Sequence, residues 1–307
     1  MEGKGIALEQ LVHELDELFA IHEWDRDPAA SRWIPRLYQE IGYDHTQIFE
    51  VDFCQRTNGL MLRSGDEVKK AYCAAFPSPE ILRELLEVSS EGAMLFLHHP
   101  FDMEVSGVGF LPIPPEALEQ LKARGISVYA CHAPMDCHDE VGTNASMVEA
   151  FGIQVEQHFA RYGHGFAGRI GSITPTELGE LARRGRAIFC VDRVEVGGGK
   201  PAIISRVAIV AGGGDDPELL EEAEQRGAQA YITGEWYTRT LPVGEEEKEW
   251  AEANKAACLA YAETSGMALL GFSHAASEYL VMKGQMIRFL EAKGVQATSM
   301  EPSDWWR

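Results

Sequence analysis

The chain has no C-x-x-C pair, no long apolar run, no G-x-S-x-G element and few cations, and each absence removes a class of protein. The six cysteines (Cys54, Cys73, Cys131, Cys137, Cys190, Cys258) are scattered through 307 residues. That distribution reads as reduced thiols rather than a disulfide framework. No uninterrupted apolar stretch reaches the roughly 18 residues a membrane-spanning helix needs, and Met1 to Ala7 carry no signal-peptide core. A soluble, cytoplasmic protein with no membrane contact is expected. Lys and Arg number 27 against 48 Asp and Glu, a net charge of −21. A nucleic-acid surface needs clustered cations, and no such stripe is present. Serine-hydrolase chemistry has no elbow motif to support it. Gly197-Gly198-Gly199-Lys200-Pro201 lacks the Walker spacing and reads as a turn.

What is present is an ordinary apolar fraction of 45%, enough for a full core. Apolar runs of strand length alternate with helical patterns. Strands are expected at 47–53, 94–98, 126–131, 186–191, 203–211, 228–233 and 268–272. Helices are expected at 7–20, 78–89, 114–124, 143–151, 176–185, 217–226, 246–265 and 276–292. Pro114-Pro115 and Asp216-Pro217 open two of them, and Gly125 and Gly227 close the same two. The alternation predicts an α/β fold with mixed sheets flanked by helices. The stretch 154–175, with Gly163, Gly165, Gly168 and Gly171, is the weakest for regular structure and is expected to link two lobes. Glu245-Glu246-Glu247-Lys248-Glu249 reads as a solvated helix start, and Trp305-Trp306 as a docking tail or a frayed end. Gly212-Gly213-Gly214-Asp215-Asp216 sits where backbone N–H groups could cradle an anion, but its two carboxylates favour helix capping.

Three of the strand-like runs end in histidine: Met94 to His98-His99-Pro100, Ile126 to His132, and Ala268 to His274. Two of these carry a carboxylate four residues further on, His132 to Asp136 and His274 to Glu278. In open α/β sheets ligands bind just beyond the carboxyl ends of strands. Imidazoles and carboxylates delivered there suit a metal-dependent site.

Each piece also has a structural reading. His98-His99 could be one core and one exposed histidine. The Cys131–Glu140 segment, dense in ligand-type side chains, could simply cap the helix near Thr143-Asn144. There Asp136 could bridge two cations, and a thiolate zinc site on Cys131 and Cys137 is conceivable although its spacing is unusual. Glu278 in a first helical turn is favourable through the helix dipole alone. Taken together, the three strand ends point to a shared metal site.

The order His98-His99-Pro100, His132 to Asp136, Gly168-Arg169-Ile170-Gly171, Thr233-Gly234-Glu235, His274 to Glu278 resembles the family of Ngg-one-interacting factor three. Its bacterial members are usually labelled GTP cyclohydrolase 1 type 2 homologues. The resemblance implies an α/β fold of two related lobes, one spanning about 1–152 plus 267–307 and the other 153–266. It also implies a dinuclear metal site between the lobes and a toroidal homohexamer built from dimers. The implied ligands are His98, His99, Asp136, His274 and Glu278, with His132 a nearby polar residue. Three family features differ here: Gln55 stands where a Glu usually precedes Asn-x-Gly-Leu, Trp236 to Arg239 replace a histidine after Thr-Gly-Glu, and Ser273 replaces a glycine.

The expected function is a dinuclear divalent-metal hydrolase acting on a nucleotide-like small molecule. The ions are two per chain, from among Zn, Fe, Mn, Co and Ni. His132, His138 and Glu235 are the candidates for proton transfer. A non-catalytic metal-binding ring acting as adaptor or regulator, and a metal-dependent phosphoesterase, are the alternatives.

Overall fold

A computed structural model of the chain describes residues 5–89, 91–103, 109–239 and 245–303. Trp305-Trp306 lie outside the described residues.

Two mixed sheets organise the molecule. The first takes β1 (Gly59–Leu62), β2 (Lys70–Ala74), β3 (Ala93–Leu97) and β4 (Ile126–Ala130), together with a strand from the far end of the chain. The second takes β5 (Gln154–Tyr162), β6 (Gly165–Thr176), β7 (Glu195–Gly198), β8 (Ile204–Gly213), β9 (Ala230–Glu235) and β10 (Ala268–Gly271). The last strand, β11 (Gln296–Ser299), completes the first sheet, whose order is β11-β2-β3-β4-β1. Only β1 runs antiparallel there. The second sheet has the order β7-β10-β9-β8-β6-β5, parallel at β8, β9 and β10 and antiparallel elsewhere. The strand at 268–271 pairs with β9 and β7, and β11 pairs with β2.

Twelve α-helices are described: α1 (Leu8–Leu18), α2 (Ala30–Glu40), α3 (Val51–Arg56), α4 (Pro79–Val88), α5 (Pro115–Ala123), α6 (Ala133–Cys137), α7 (Thr143–Phe151), α8 (Leu178–Phe189), α9 (Pro217–Gln225), α10 (Glu245–Thr264), α11 (His274–Lys283) and α12 (Gln285–Ala292). Among the described residues, no helix is long and apolar enough to cross a membrane.

Four expectations need correction. The run 47–53 is not a strand: it leaves a 3-10 turn (His45–Gln47) and enters α3 at Val51, which is 72% exposed, while Phe49 before the helix and Phe53 within it are buried. The run 186–191 is the end of α8, whose buried Leu181, Gly185 and Phe189 recur every four residues. The stretch 154–175 is not irregular but holds β5 and β6, the longest hairpin of the second sheet. Its glycines are packing positions: a Cβ on Gly168 would lie 2.3 Å from the Phe159 ring, and one on Gly171 2.2 Å from the Gln154 carbonyl oxygen. The helix expected over 276–292 is two, broken at Gly284.

Candidate metal centre

Sheet pairing decides which strand ends meet. β3 and β4 are parallel neighbours, with Leu97 level with Ala130, so His98, His99 and His132 leave the first sheet at one edge. In the second sheet β9 and β10 are parallel, with Thr233 level with Gly271, so Glu235 and His274 leave together. α11 begins at His274, and helical spacing puts Glu278 on the same face. α6 does the same for Asp136, whose backbone N–H donates to the His132 carbonyl at 3.1 Å.

The six side chains His98, His99, His132, Asp136, His274 and Glu278 converge, and none is more than 7% exposed. Three overlapping sets, His98 with His99 and His132, His99 with His274 and Glu278, and His98 with Asp136 and Glu278, each place their donor atoms within 4.8 Å of one another. The cluster could therefore hold metal ions. Glu278 Oε1 lies 3.0 Å from His274 Nε2 and 3.5 Å from His98 Nε2, while its Oε2 lies 3.0 Å from His99 Nε2. Both Glu278 and Asp136 have their two oxygens directed at different imidazoles, but Glu278 comes within 3.0 Å of two of them and belongs to two of the sets, Asp136 to one. Asp136 stands 3.4 Å from His98 Nε2 and 3.8 Å from His132 Nε2, and accepts a 2.7 Å hydrogen bond from Thr143 Oγ1.

Three imidazoles are oriented from behind. His98 Nδ1 donates to the Cys131 carbonyl at 2.9 Å; a carbonyl can only accept, so the proton is on Nδ1. His132 Nδ1 faces Asp27 and His274 Nδ1 faces Glu235, each at 3.0 Å. Such outer acceptors direct Nε2 lone pairs inward, as in metal-ligating histidines. His98 Nε2 and His99 Nδ1 are buried without a hydrogen-bond partner. Leaving buried polar atoms unmet costs free energy that a bound cation would recover. The residues fit a metal.

The charges are strongly perturbed. Burial disfavours a charged His132, yet Asp27, with Asp136 and Glu278, overrides it and lifts the group to about 9. Burial works against the Asp27 carboxylate too, but His132 and the Ala133 and Ala30 amides hold it well below the ordinary range. Burial would raise Glu278, but His274, His99 and His98 keep its carboxyl well below the ordinary range. Burial pushes His99 down and Asp136 up.

Not every expected residue joins the cluster. His138 Nδ1 accepts the backbone N–H groups of Glu140 and Val141, at 3.1 and 2.9 Å, and its ring is edge-on to Phe19. It is a loop anchor and belongs to none of the donor sets. Glu235 stands behind His274, tied to the Arg239 backbone N–H at 3.1 Å. Neither Cys131 nor Cys137 belongs to the donor sets, and burial pushes both thiols up.

Sequence reading missed Asp27, Asn58, Thr143 as the partner of Asp136, and Arg239. The Asp27-Pro28 dipeptide before α2 was a signal of sorts: Asp27 accepts from the Ala29 and Ala30 amides at that helix start. Gly212 was read only as part of the Gly212 to Asp216 stretch, where helix capping outweighed an anion cradle. A Cβ there would lie 2.1 Å from Glu278 Oε1, so the glycine makes room for the shared carboxylate. The capping expectation held at Asp216, which accepts from Glu218 N.

A mixed α/β fold whose strand ends gather a buried cluster of histidines and carboxylates defines a class of metal-binding candidates, and the comparisons place the chain within it. Residues 48–248 match the family described as Duf34/NIF3 (NGG1p interacting factor 3), and the chain belongs to that family. A relative from Archaeoglobus fulgidus named GTP cyclohydrolase 1 type 2 homolog is 32% identical over 58% of this chain and 69% of its own length. One of the same name from Vibrio cholerae is 27% identical over 64% of this chain and 76% of its own. Among solved structures, a protein named ybgI, of unknown function, superposes with a TM-score of 0.66 at 20% identity, covering 98% of this chain and 100% of its own. That likeness shows the shared fold.

Proposed function

We propose that the protein is a hydrolase working through two divalent ions held by His98, His99, His132, Asp136, His274 and Glu278, on a nucleotide-like small molecule. The observation that carries this is the convergence of six buried donors in three overlapping sets. Six ligands exceed the four of a single tetrahedral site, and Glu278 is placed to be shared. The mixed imidazole and carboxylate set suits Zn, Fe, Mn, Co or Ni. When bound, such ions would supply Lewis acidity at the cavity floor.

The chain's own residues do the rest. Asp27 and Glu235 orient His132 and His274 and, being engaged there, act as supports rather than proton carriers. Tyr162 lines the cavity, and burial lifts its phenol well above the usual range, so it keeps its proton there. The nucleotide-like substrate is supported by the name that the relatives carry. A homohexamer built from dimers in the cytoplasm completes the proposal.

The test is metal stoichiometry by mass spectrometry of untagged protein, wild type beside Asp136→Ala, followed by assays with GTP, cyclic nucleotides and simple phosphodiesters. About two ions per wild-type chain, loss in the variant, and turnover that the folded variant lacks are expected. Metal without turnover on any of these substrates would favour the non-catalytic ring. Little metal after reconstitution would make the histidines structural and end the enzyme reading.

A further inference from the structure

A cavity of 340 Å³ opens onto the cluster, with His99, His132, Asp136, His274 and Glu278 among its lining residues. Its walls are unlike that polar floor. A run of rings leads away from the His99 imidazole: Phe101 at 5.9 Å, then Phe110 at 5.4 Å from Phe101, then Trp33 at 4.8 Å from Phe110 and edge-on to it. Val210, Ala211 and Leu219 line the cavity as well. Trp33 is carried by the first turn of α2, whose start is pinned by Asp27, the carboxylate that also holds His132. The exposed Arg32 guanidinium stacks over the Trp33 indole at 4.4 Å and holds it in place.

Charge is sparse along these walls. Among the described lining residues Arg161 is the one permanent cation, it is exposed, and Asp216 is a lining residue too. A polyphosphate needs several cations or amide-rich loops to match it. A flat ring needs an apolar slot with aromatic edges, and gains about 0.5–1.5 kcal/mol per well-placed ring pair beyond its burial. Cavities near the small end of the usual size range bury compact molecules best.

We propose that the substrate is a compact aromatic molecule with a single anionic head. Its ring lies on the shelf formed by Phe101, Phe110 and Trp33, and its head reaches the His/carboxylate cluster. The head rests on the metal-centre reading above; the ring does not.

The test is calorimetric titration of metal-reconstituted full-length protein with 1-naphthyl phosphate, inorganic phosphate and GTP, and of the same protein with 1-naphthol, which has no anionic head. Naphthyl phosphate is expected to bind at least about tenfold more tightly than phosphate, a step of about 1.4 kcal/mol, and GTP no more tightly than naphthyl phosphate. Trp33→Ala should abolish most of that advantage while metal content and phosphate binding stay as in the wild type. Phe110→Leu, which keeps the packing, should reduce it too and serves if Trp33→Ala does not fold. Equal binding of naphthyl phosphate and phosphate, an advantage untouched by both variants, or GTP binding more than tenfold tighter than naphthyl phosphate would overturn the proposal. If the protein takes up no metal, the metal-centre reading falls by itself. The shelf then stands if wild type binds 1-naphthol more tightly than the variants do, and falls if it does not.

Discussion

His132 and His274 come from different sheets, each presents Nε2 to the cluster, and each is held at Nδ1 by a buried carboxylate, but the two carboxylates are kept ionised by different means. Asp27, behind His132, gathers the amides of Ala29, Ala30 and Ala133 and the Asn58 side chain, at 2.7 to 3.1 Å. Glu235, behind His274, relies on a counter-charge. The Arg239 guanidinium is 3.7 Å away and is itself anchored on the Gly234 and Phe272 carbonyls, at 2.6 and 2.9 Å. Burial raises a carboxyl in either place, and the partners bring both down. In each case the histidine in front is the largest of these partners, and backbone amides at Asp27 and a guanidinium at Glu235 add to it. They differ in what they leave behind when the carboxylate is removed.

Glu235→Ala should do the greater damage, because a buried guanidinium loses the nearer of two carboxylates and keeps Glu195 at 3.8 Å, which costs about 3 kcal/mol, the low end for a broken buried pair. Metal affinity should fall by about 10–100-fold as His274 loses its support. Adding Arg239→Met should recover most of the stability but not the affinity. Urea midpoints and competitive metal titration would show this, and full recovery of both would undo the contrast with Asp27. Asp27→Ala should weaken metal binding to a similar degree. It strands the amide donors, at about 1–3 kcal/mol for each one that water cannot reach. His132, without the carboxylate that lifts it, sheds its proton rather than staying buried as a cation, so no charge-removing second change should rescue the variant.

Gly212→Ala probes the shared carboxylate from the second sheet. Its φ of +68° and the 2.1 Å approach to Glu278 Oε1 should cost about 1–2 kcal/mol and displace Glu278. Stability and metal stoichiometry should fall together; an unchanged metal content would show that Glu278 is not needed where it stands. The smallest effect concerns Asp215, which accepts from Thr238 Oγ1 and is raised to about 6 by burial and by Glu235. Because its folded value lies above its unfolded one, the native state binds the proton more tightly. The stability this adds is present below about pH 4 and is lost as pH rises through about 6. Asp215→Asn, which stays neutral, should match the wild type near pH 4 and exceed it by about 1 kcal/mol near pH 7, less than the roughly 3 kcal/mol of a two-unit rise because Asp215 is only partly buried and is screened by water. Denaturation curves at both pH values would show the gap widening, and a constant gap would remove Asp215 from the Glu235 side of the comparison.

Much of the fold was legible because burial repeats with the period of the element. α4, α5, α7 and α9 lie within a residue or two of their expected bounds, since their caps and prolines act locally. The hairpin β5–β6 was not legible. Its glycines signal a break in isolation, and only the Phe159 ring and the Gln154 backbone lying against them explain the requirement. α3 and the end of α8 were misread for the opposite reason. A short apolar run fits a strand or a helix equally well until the exposed side, such as Val51, is known.

The sequence by itself determined the candidate ligands. His98, His99, His132 and His274 close apolar runs, and Asp136 and Glu278 follow four residues on, a spacing that a helix converts directly into a shared face. Only the tertiary structure decided how those ligands are held. Asp27 is 105 residues from His132, and Glu235 is 39 from His274. Gly212 meets Glu278 from another strand, and the ring shelf joins Trp33 of α2 to Phe101 and Phe110. Such contacts act through space, with no period along the chain to announce them. They arise when parallel strands bring their carboxyl ends to one edge and the surrounding groups satisfy the polar atoms that burial leaves exposed to no water.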